Sequence, residues 1–252
     1  MEAAPPSPCL VISPHRDDAC FSLGGAIHRW QELGRELTVV NLFTGHPGPH
    51  LSPQAEAYHQ RFGAVDLMEL RRQRDQEALE ILGVPYIDLN HQDCLYRLGT
   101  DGVGWRYPEP EHIFGILHPE EGPLPQALVA SLRSRIHLTE ATLVLAPLAV
   151  GNHVDHQLAH RMARLLAEEG LPVAFYEDAP YVFSPRGPED LTRRSSGMEA
   201  EVLWLEQRHL ESKRKAIGAY QSSVPIEAFA AYSQSFAGGH AAERIWRLPP
   251  SV

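Results

Sequence analysis

The sequence predicts an α/β fold, a single Rossmann-like three-layer domain over residues 1–252 built on a mostly parallel sheet. Three observations predict it. Short apolar runs of strand length alternate with longer amphipathic stretches, the order of parallel strands joined by right-handed crossovers. Polar clusters rich in His and Asp stand directly behind two of those runs, where open α/β sheets collect their ligands. Hydrophobic residues make up 43% and charged residues 21% of the chain, a balance that can build a sizeable soluble core.

Leu10-Val11-Ile12 reads as a buried strand that stops at Ser13-Pro14-His15. A helix is expected from about Leu23 to Leu33, closed by Gly34, and a second strand over Leu37 to Phe43. Val65 to Leu82 carries Leu67, Leu70, Ala78, Leu79 and Leu82 among charges, the pattern of an amphipathic helix stopped by Gly83. Tyr86 to Leu89 is the next strand. Residues 90–123 break the alternation with Gly, Pro and aromatic residues; a loop this long inside a compact domain usually serves a site, and it is expected to wall one here. The alternation resumes with a helix near Leu124 to Leu132, a strand over Thr142 to Ala146, a helix capped by Asn152, and a strand over Pro172 to Tyr176. Pro185 to Ser196 reads as a polar connection and Glu199 to Ile217 as one long charged helix.

Composition narrows the function. A formal net charge of −10 and a sequence pI near 5.8 disfavour nucleic acid and anionic membrane as partners. Cys9, Cys20 and Cys94 form no spaced framework, which argues against a disulfide-stapled secreted domain. Met1 to Pro8 lacks a basic n-region and no apolar stretch approaches the ~20 residues of a membrane span, so a cytoplasmic location is expected. A homo-oligomer is compatible with these features.

The chemistry is concentrated in two tetrads. His15-Arg16-Asp17-Asp18 follows the first strand and offers nitrogen and oxygen donors for a divalent ion; an Asp here could equally just cap the next helix. His153-Val154-Asp155-His156 follows the strand at 142–146, and His160 lies four residues beyond His156. The residues alone leave two ligand schemes open: His156 with the distant His15 and Asp18, or a local His156/His160 pair. For His160 itself, a hydrogen-bonded helix histidine is the favoured reading.

Ser13-Pro14-His15-Arg16-Asp17-Asp18-Ala19 together with His153-Val154-Asp155-His156 resembles the family typified by the GlcNAc deacetylases of glycosylphosphatidylinositol-anchor and mycothiol synthesis (PIG-L/LmbE-like). Each tetrapeptide is weak, whereas the pair in this order and at this separation is specific. The resemblance extends through Gly24-Gly25, Arg71-Arg72, Asp93 to Arg97 and Glu177 to Tyr181, and more loosely over Lys213 to Gln221. It implies a zinc-dependent N-deacetylase, with iron as the alternative ion, acting on a small N-acetyl amino sugar of the GlcNAc type or its conjugate. It implies metal ligands His15, Asp18 and His156, a general base Asp17, an oxyanion-stabilising His153 held and tuned by Asp155, and sugar contacts from Arg71 (or its neighbour Arg72) and Asp93. A protonated His153, favoured by Asp155, would serve the oxyanion best. Glu177 and Asp178 read first as a structural salt bridge and second as pocket residues. Tyr96, Trp105, Tyr107 and Phe114 are candidates to pack against the sugar or its aglycone, and several of them to fill a satellite core.

The usual proline of the first motif is Arg16 here and the usual glutamate is Ala19. Neither position is assigned to metal or base, so the departures touch loop geometry and local charge. Three other readings compete: a non-catalytic metal- or sugar-binding member of the same fold, a zinc amidase or esterase for a non-sugar substrate, and a dinucleotide enzyme. The last is poor, because no GxGxxG is present.

Overall fold

A computed structural model describes residues 8–63, 66–235 and 240–249. Met1 to Ser7, read above for leader signals, and Val65, the expected start of a helix, lie outside the described residues. Among the described residues seven strands form one sheet: β1 (Cys9–Ser13), β2 (Leu37–Asn41), β3 (Tyr86–Asp88), β4 (Leu143–Pro147), β5 (Val173–Tyr176), β6 (Glu199–Trp204) and β7 (Ala242–Arg247). Their order is β3-β2-β1-β4-β5-β7-β6. The first five are mutually parallel, and β7 runs antiparallel to both β5 and β6.

β1 and β4 are buried along their whole length, so they read as near-continuous apolar runs, as strands covered on both faces must. Helices supply the two covers. α1 (Asp18–Glu32), α3 (Leu67–Leu82) and α7 (Gln207–Tyr220) pack together on one face, and α4 (Leu124–Arg135) and α5 (Val154–Glu168) on the other. Three shorter helices complete the set among the described residues: α2 (Pro53–Phe62), α6 (Gly187–Arg194) and α8 (Ile226–Ser235).

The strand order reverses between β1 and β4. After β1 the chain builds outward through β2 and β3, then returns to place β4 on the other side. Such a switch point opens a crevice at the carboxyl ends of the two flanking strands, and both His/Asp tetrads stand there.

The structure differs from the sequence expectations in places that have physical causes. Glu199–Trp204 is an edge strand rather than the start of a helix: six residues pair with β7, and that pairing overrides the helix propensity of Glu, Ala and Leu. The helix begins only at Gln207. Pro185 to Ser196 contains α6, whose Pro188 sits in its first turn, where a missing N–H costs nothing. α1 starts at Asp18, not Leu23, and Leu23 is a kink within it (φ −123°, ψ 15°). Glu243 accepts the Gly25 and Ala26 N–H groups just beyond that kink, at 3.1 and 2.8 Å, while Lys213 pairs with the same carboxylate at 2.7 Å. A Cβ on Gly25 would lie 2.5 Å from Leu205 Cδ1, so this glycine lets the chain between β6 and α7 approach α1. α2 was not expected, because only Ala55 of its ten residues is buried and no apolar stripe marks it. Its signals are its ends: Ser52 accepts the Ala55 N–H, Pro53 opens it, and Gly63 closes it at φ 59°.

Candidate active site

Residues after β1 and β4 meet at the switch point. Asp18 Oδ2 lies 3.2 Å from His15 Nδ1 and 3.3 Å from His156 Nε2. Those separations match the roughly 3.3–3.4 Å edge of a tetrahedron with metal–ligand bonds of 2.0–2.1 Å. Hydrogen bonds on the opposite ring nitrogens set the tautomers. His15 Nε2 faces Asp155 Oδ2 at 3.0 Å, and His156 Nδ1 faces Asp178 Oδ1 at 2.7 Å. Each carboxylate accepts the ring N–H, which in the neutral imidazole leaves the other nitrogen's lone pair toward Asp18, the arrangement of metal-ligating histidines. His156 Nε2 is fully buried and has no hydrogen-bond partner. A cation there would satisfy it, so the donor set fits a divalent ion.

The electrostatics agree. Burial pulls His15 toward neutrality, but Asp155, Asp18 and Asp93 outweigh it and push its pKa well above the usual value. Burial likewise opposes charge on His156, yet Asp18 and Asp178 raise it to about 9. The cluster therefore carries negative charge that holds protons where a metal cation could stand instead. Burial works against an ionised Asp18, but His156 and His15 keep its pKa well below the ordinary value.

His153 is within reach of the same cluster, but its tautomer is opposite. It caps α5, and its Nδ1 accepts the Asp155 N–H at 3.2 Å, leaving Nε2 to carry the proton. In that tautomer Nε2–H is a donor, although the ring lies close enough to His15 and His156 to share a centre with them. Burial, then the neighbouring His15 and His156, depress its pKa well below the usual value, so it is neutral. The cap is His153 and not Asn152, which sits outside the helix at φ 59°. Asp155 does not hold the His153/His156 pair by its side chain. Its carboxylate is spent on His15, on the Cys94 N–H (3.0 Å) and on Arg97 Nη2 (2.5 Å).

Asp17 has no capping role: its side chain makes no bond to the start of α1. It lines a cavity of about 590 Å³ with His15, Asp18, Arg71, Asp93 and His153. Burial, then the charge of Asp18, raises its pKa to about 7, against the pull of Arg71. Arg71 stands between Asp17 (3.8 Å) and Asp93 (3.7 Å). Arg72 points away and pairs with Glu69 at 2.7 Å on an exposed helix face, which removes it as the alternative. Asp93 also accepts the Leu95 N–H at 3.0 Å, so it shapes its own turn as well as facing the cavity.

His160 is not drawn in. Its ring stacks on Phe175 at 4.3 Å, its Nδ1 meets Pro147 O at 3.0 Å, and burial lowers its pKa to about 4. Of the four loop aromatics, Phe114 lines the cavity, whereas Tyr96 and Tyr107 fill a satellite core with Met68 and Val154. Tyr58 of α2 and Tyr181 line the cavity too; no periodicity pointed to them. Asp178, read mainly as a salt-bridge residue, backs His156, while Glu177 is structural, bound to Arg244 and Trp246. Arg16, the departure from the motif's proline, is buried and ties this loop to Met68 O (3.0 Å) and Asp88 (2.6 Å).

The sequence matches the family described as PIG-L, GlcNAc-PI de-N-acetylase, over residues 10–167. It is 31% identical over 176 residues to a 2'-N-acetylparomamine deacetylase of Streptomyces fradiae, covering 68% of this chain and 57% of that protein. An enzyme of the same name from Niallia circulans is 27% identical over 189 residues, covering 68% and 66%. The chain thus spans under two thirds of the length of these curated relatives. The zinc-inhibited form of teicoplanin deacetylase Orf2 superposes with a TM-score of 0.82 at 26% identity, covering 96% of this chain and 99% of that one.

Proposed function

The chain belongs to the PIG-L family, and from that premise we propose that it is a metal-dependent hydrolase removing the N-acetyl group of a GlcNAc-type amino sugar or its conjugate. The observation that carries this reading is the cavity that Asp17, free of any side-chain capping role, lines together with His15 and Asp18, with the buried His156 3.3 Å from Asp18. The names of the relatives, 2'-N-acetylparomamine deacetylases and a teicoplanin deacetylase, support N-deacetylation of an amino sugar.

His15 Nδ1, Asp18 Oδ2 and His156 Nε2 would hold the ion, zinc by default, a two-His, one-carboxylate set that leaves positions open. When bound, such an ion acidifies water and polarises a carbonyl. Asp17 takes the proton of the attacking water and returns it to the leaving amine; a pKa raised toward 7 suits both transfers. His153 donates its Nε2–H to the oxyanion as a neutral imidazole, its tautomer fixed by the helix cap. This replaces the protonated imidazole expected from the sequence, because burial and the neighbouring His15 and His156 outweigh the pull of Asp155. Asp155 and Asp178 orient the two ligand histidines. Arg71 and Asp93 bracket sugar hydroxyls with charge-assisted bonds, and the 90–123 loop walls the cavity through Ile113 and Phe114.

The test is amine release from a panel containing GlcNAc, GlcNAc glycosides, acetylated peptides and acetylated polyamines. GlcNAc derivatives should be turned over. Turnover of peptides or polyamines with none of any GlcNAc derivative would reject the sugar while leaving the hydrolase chemistry in place.

A further inference from the structure

A second groove, of about 500 Å³, opens on the far side of Phe114 from the metal-ligand cluster. Arg161 of α5 and Arg193 and Arg194 at the end of α6 line it, with Asn152 and Gln157. Arg193 and Arg194 both donate to Asn152 Oδ1, at 3.3 and 2.5 Å. Arg193 pairs with Asp190 at 2.6 Å. Among the described residues neither Arg161 nor Arg194 has a carboxylate in salt-bridge contact, and Arg194 Nε is buried with no hydrogen-bond partner. Burial and then the charge of Arg193 lower the Arg194 pKa.

Three guanidiniums and, among the described residues, no carboxylate line this groove, with Asp190 paired to Arg193 and Asp178 acting on Arg194 from outside it, a local excess of positive charge in a chain whose net charge is −10. Cations do favour a helix C-terminus, which accounts for Arg193 and Arg194 on α6. It does not account for Arg161, which comes from the middle of another helix to the same groove. The groove also adjoins the reacting end. Phe114 lines both cavities, with its ring 5.3 Å from that of His153, and Asn152 is the chain neighbour of His153.

We propose that this groove is an oxyanion subsite in which Arg161, Arg193 and Arg194 take a phosphate or carboxylate carried by the substrate's aglycone. Guanidinium forks match both anions and bind them with charge-assisted, bidentate geometry. The link to substrate rests on the deacetylase reading; the anion site does not.

Two measurements on the metal-loaded enzyme separate these. The first is calorimetric titration with inorganic phosphate of the parent, Arg161→Gln and Arg194→Gln. Losing one charge-assisted contact should weaken phosphate binding roughly tenfold. Arg161→Gln changes an exposed side chain and so keeps the test open if Arg194→Gln folds poorly. The second compares GlcNAc glycosides of equal size bearing a phosphate, a carboxylate or no charge on the aglycone. The kcat/KM ratio of anionic to neutral glycoside should exceed one in the parent and fall roughly tenfold in the variants, and the anion with the larger ratio is the natural one. Phosphate binding that is absent, or unchanged by both substitutions, would overturn the site. Phosphate binding lost in the variants with an unchanged substrate ratio would make it a site for free anions and overturn the substrate role. No turnover of any glycoside, with phosphate binding still lost in the variants, would keep the site and reject the deacetylase reading instead.

Discussion

Among the described residues two clusters bring two histidines and a carboxylate together, and they differ in how well their ring nitrogens suit a metal. The inner one is His15, Asp18 and His156 at the switch point; the outer one is His28, Glu32 and His209, between α1 and the start of α7. The difference lies in what holds the far nitrogen of each ring. In the inner cluster Asp155 and Asp178 accept the ring N–H groups, so the lone pairs of the neutral rings face the centre. In the outer cluster His209 Nδ1 accepts the Glu206 N–H at 3.0 Å, which places the proton on Nε2, the atom facing Glu32 at 2.9 Å. Glu32 is further engaged by Arg208 at 3.1 Å. Residue type and proximity are alike, and the surrounding hydrogen bonds decide.

The largest effect expected from this comparison is loss of the ion itself. His15→Ala or His156→Ala should reduce bound metal from about one per chain to near zero by elemental analysis, with activity lost alongside. His28→Ala should leave metal content unchanged. Metal retained in His156→Ala but lost in His28→Ala or His160→Ala would reverse the assignment.

Next in size is the base. Asp17→Asn should keep metal and lose roughly 10²- to 10⁴-fold in rate. Asp17 must be ionised to accept a proton, so with its pKa raised to about 7 the parent's activity should fall as pH drops through that region. An ion beside Asp18 offsets the Asp18 charge and moves this acid limb lower. In the metal-free protein the sign for stability is the reverse. The folded-state pKa exceeds the unfolded value, so Asp17's contribution is present at low pH and is lost as pH rises through about 7. An activity profile flat from pH 5 to 8 in the parent, or a variant within tenfold of it at matched metal content, would make Asp17 structural.

The orienting carboxylates come third. Asp178→Asn, and Arg97→Met acting through Asp155, should weaken metal affinity by about 10- to 100-fold, read by competition with a chelator. Arg97 is the sharper case. It is buried, binds Asp155 at 2.5 Å and Glu121 at 2.7 Å, and so ties the 90–123 loop to the ligand shell. Arg97→Lys keeps the charge without the fork and should recover part of the affinity. A fall in stability with unchanged metal affinity would limit Arg97 to holding the loop.

What the sequence made legible follows the same division. β1, β2, β4 and β5 were readable because burial on both faces turns a strand into an apolar run, whereas β3 is only half-buried. The two tetrads were readable because the chemistry is written in adjacent residues. Asp178 and Arg97 were not, since their roles depend on a ring nitrogen over twenty residues away or on a carboxylate on another element. The C-terminal part was misread for a different reason. β6 is an edge strand with one buried residue, Leu203, so its pattern carries no period-2 signal, and only its partner β7 makes it a strand. His153's tautomer was illegible too, because it depends on which residue caps α5. Asn152 was the better cap by type, and His153 is the cap in space.

The smallest expected effect tests the outer cluster as a structural device. His209 closes the first turn of α7 by accepting the Glu206 N–H, and its ring is buried. His209→Ala removes that acceptor and should cost about 1 kcal/mol, the usual scale of a lost cap interaction, measured by urea denaturation of the loaded protein. His209→Gln should recover much of it, because a Gln at this third position can reach back to the same N–H in the manner of a capping box. A ligand role predicts otherwise: Gln is a poor substitute for imidazole on a metal, so His209→Gln would behave like His209→Ala in any measurement that reads a bound ion. The decisive pair of readings is therefore stability and metal content in the same two variants. Stability restored by Gln at constant metal fits a helix cap, whereas metal content falling equally in both would show that the outer cluster binds an ion despite its ring proton.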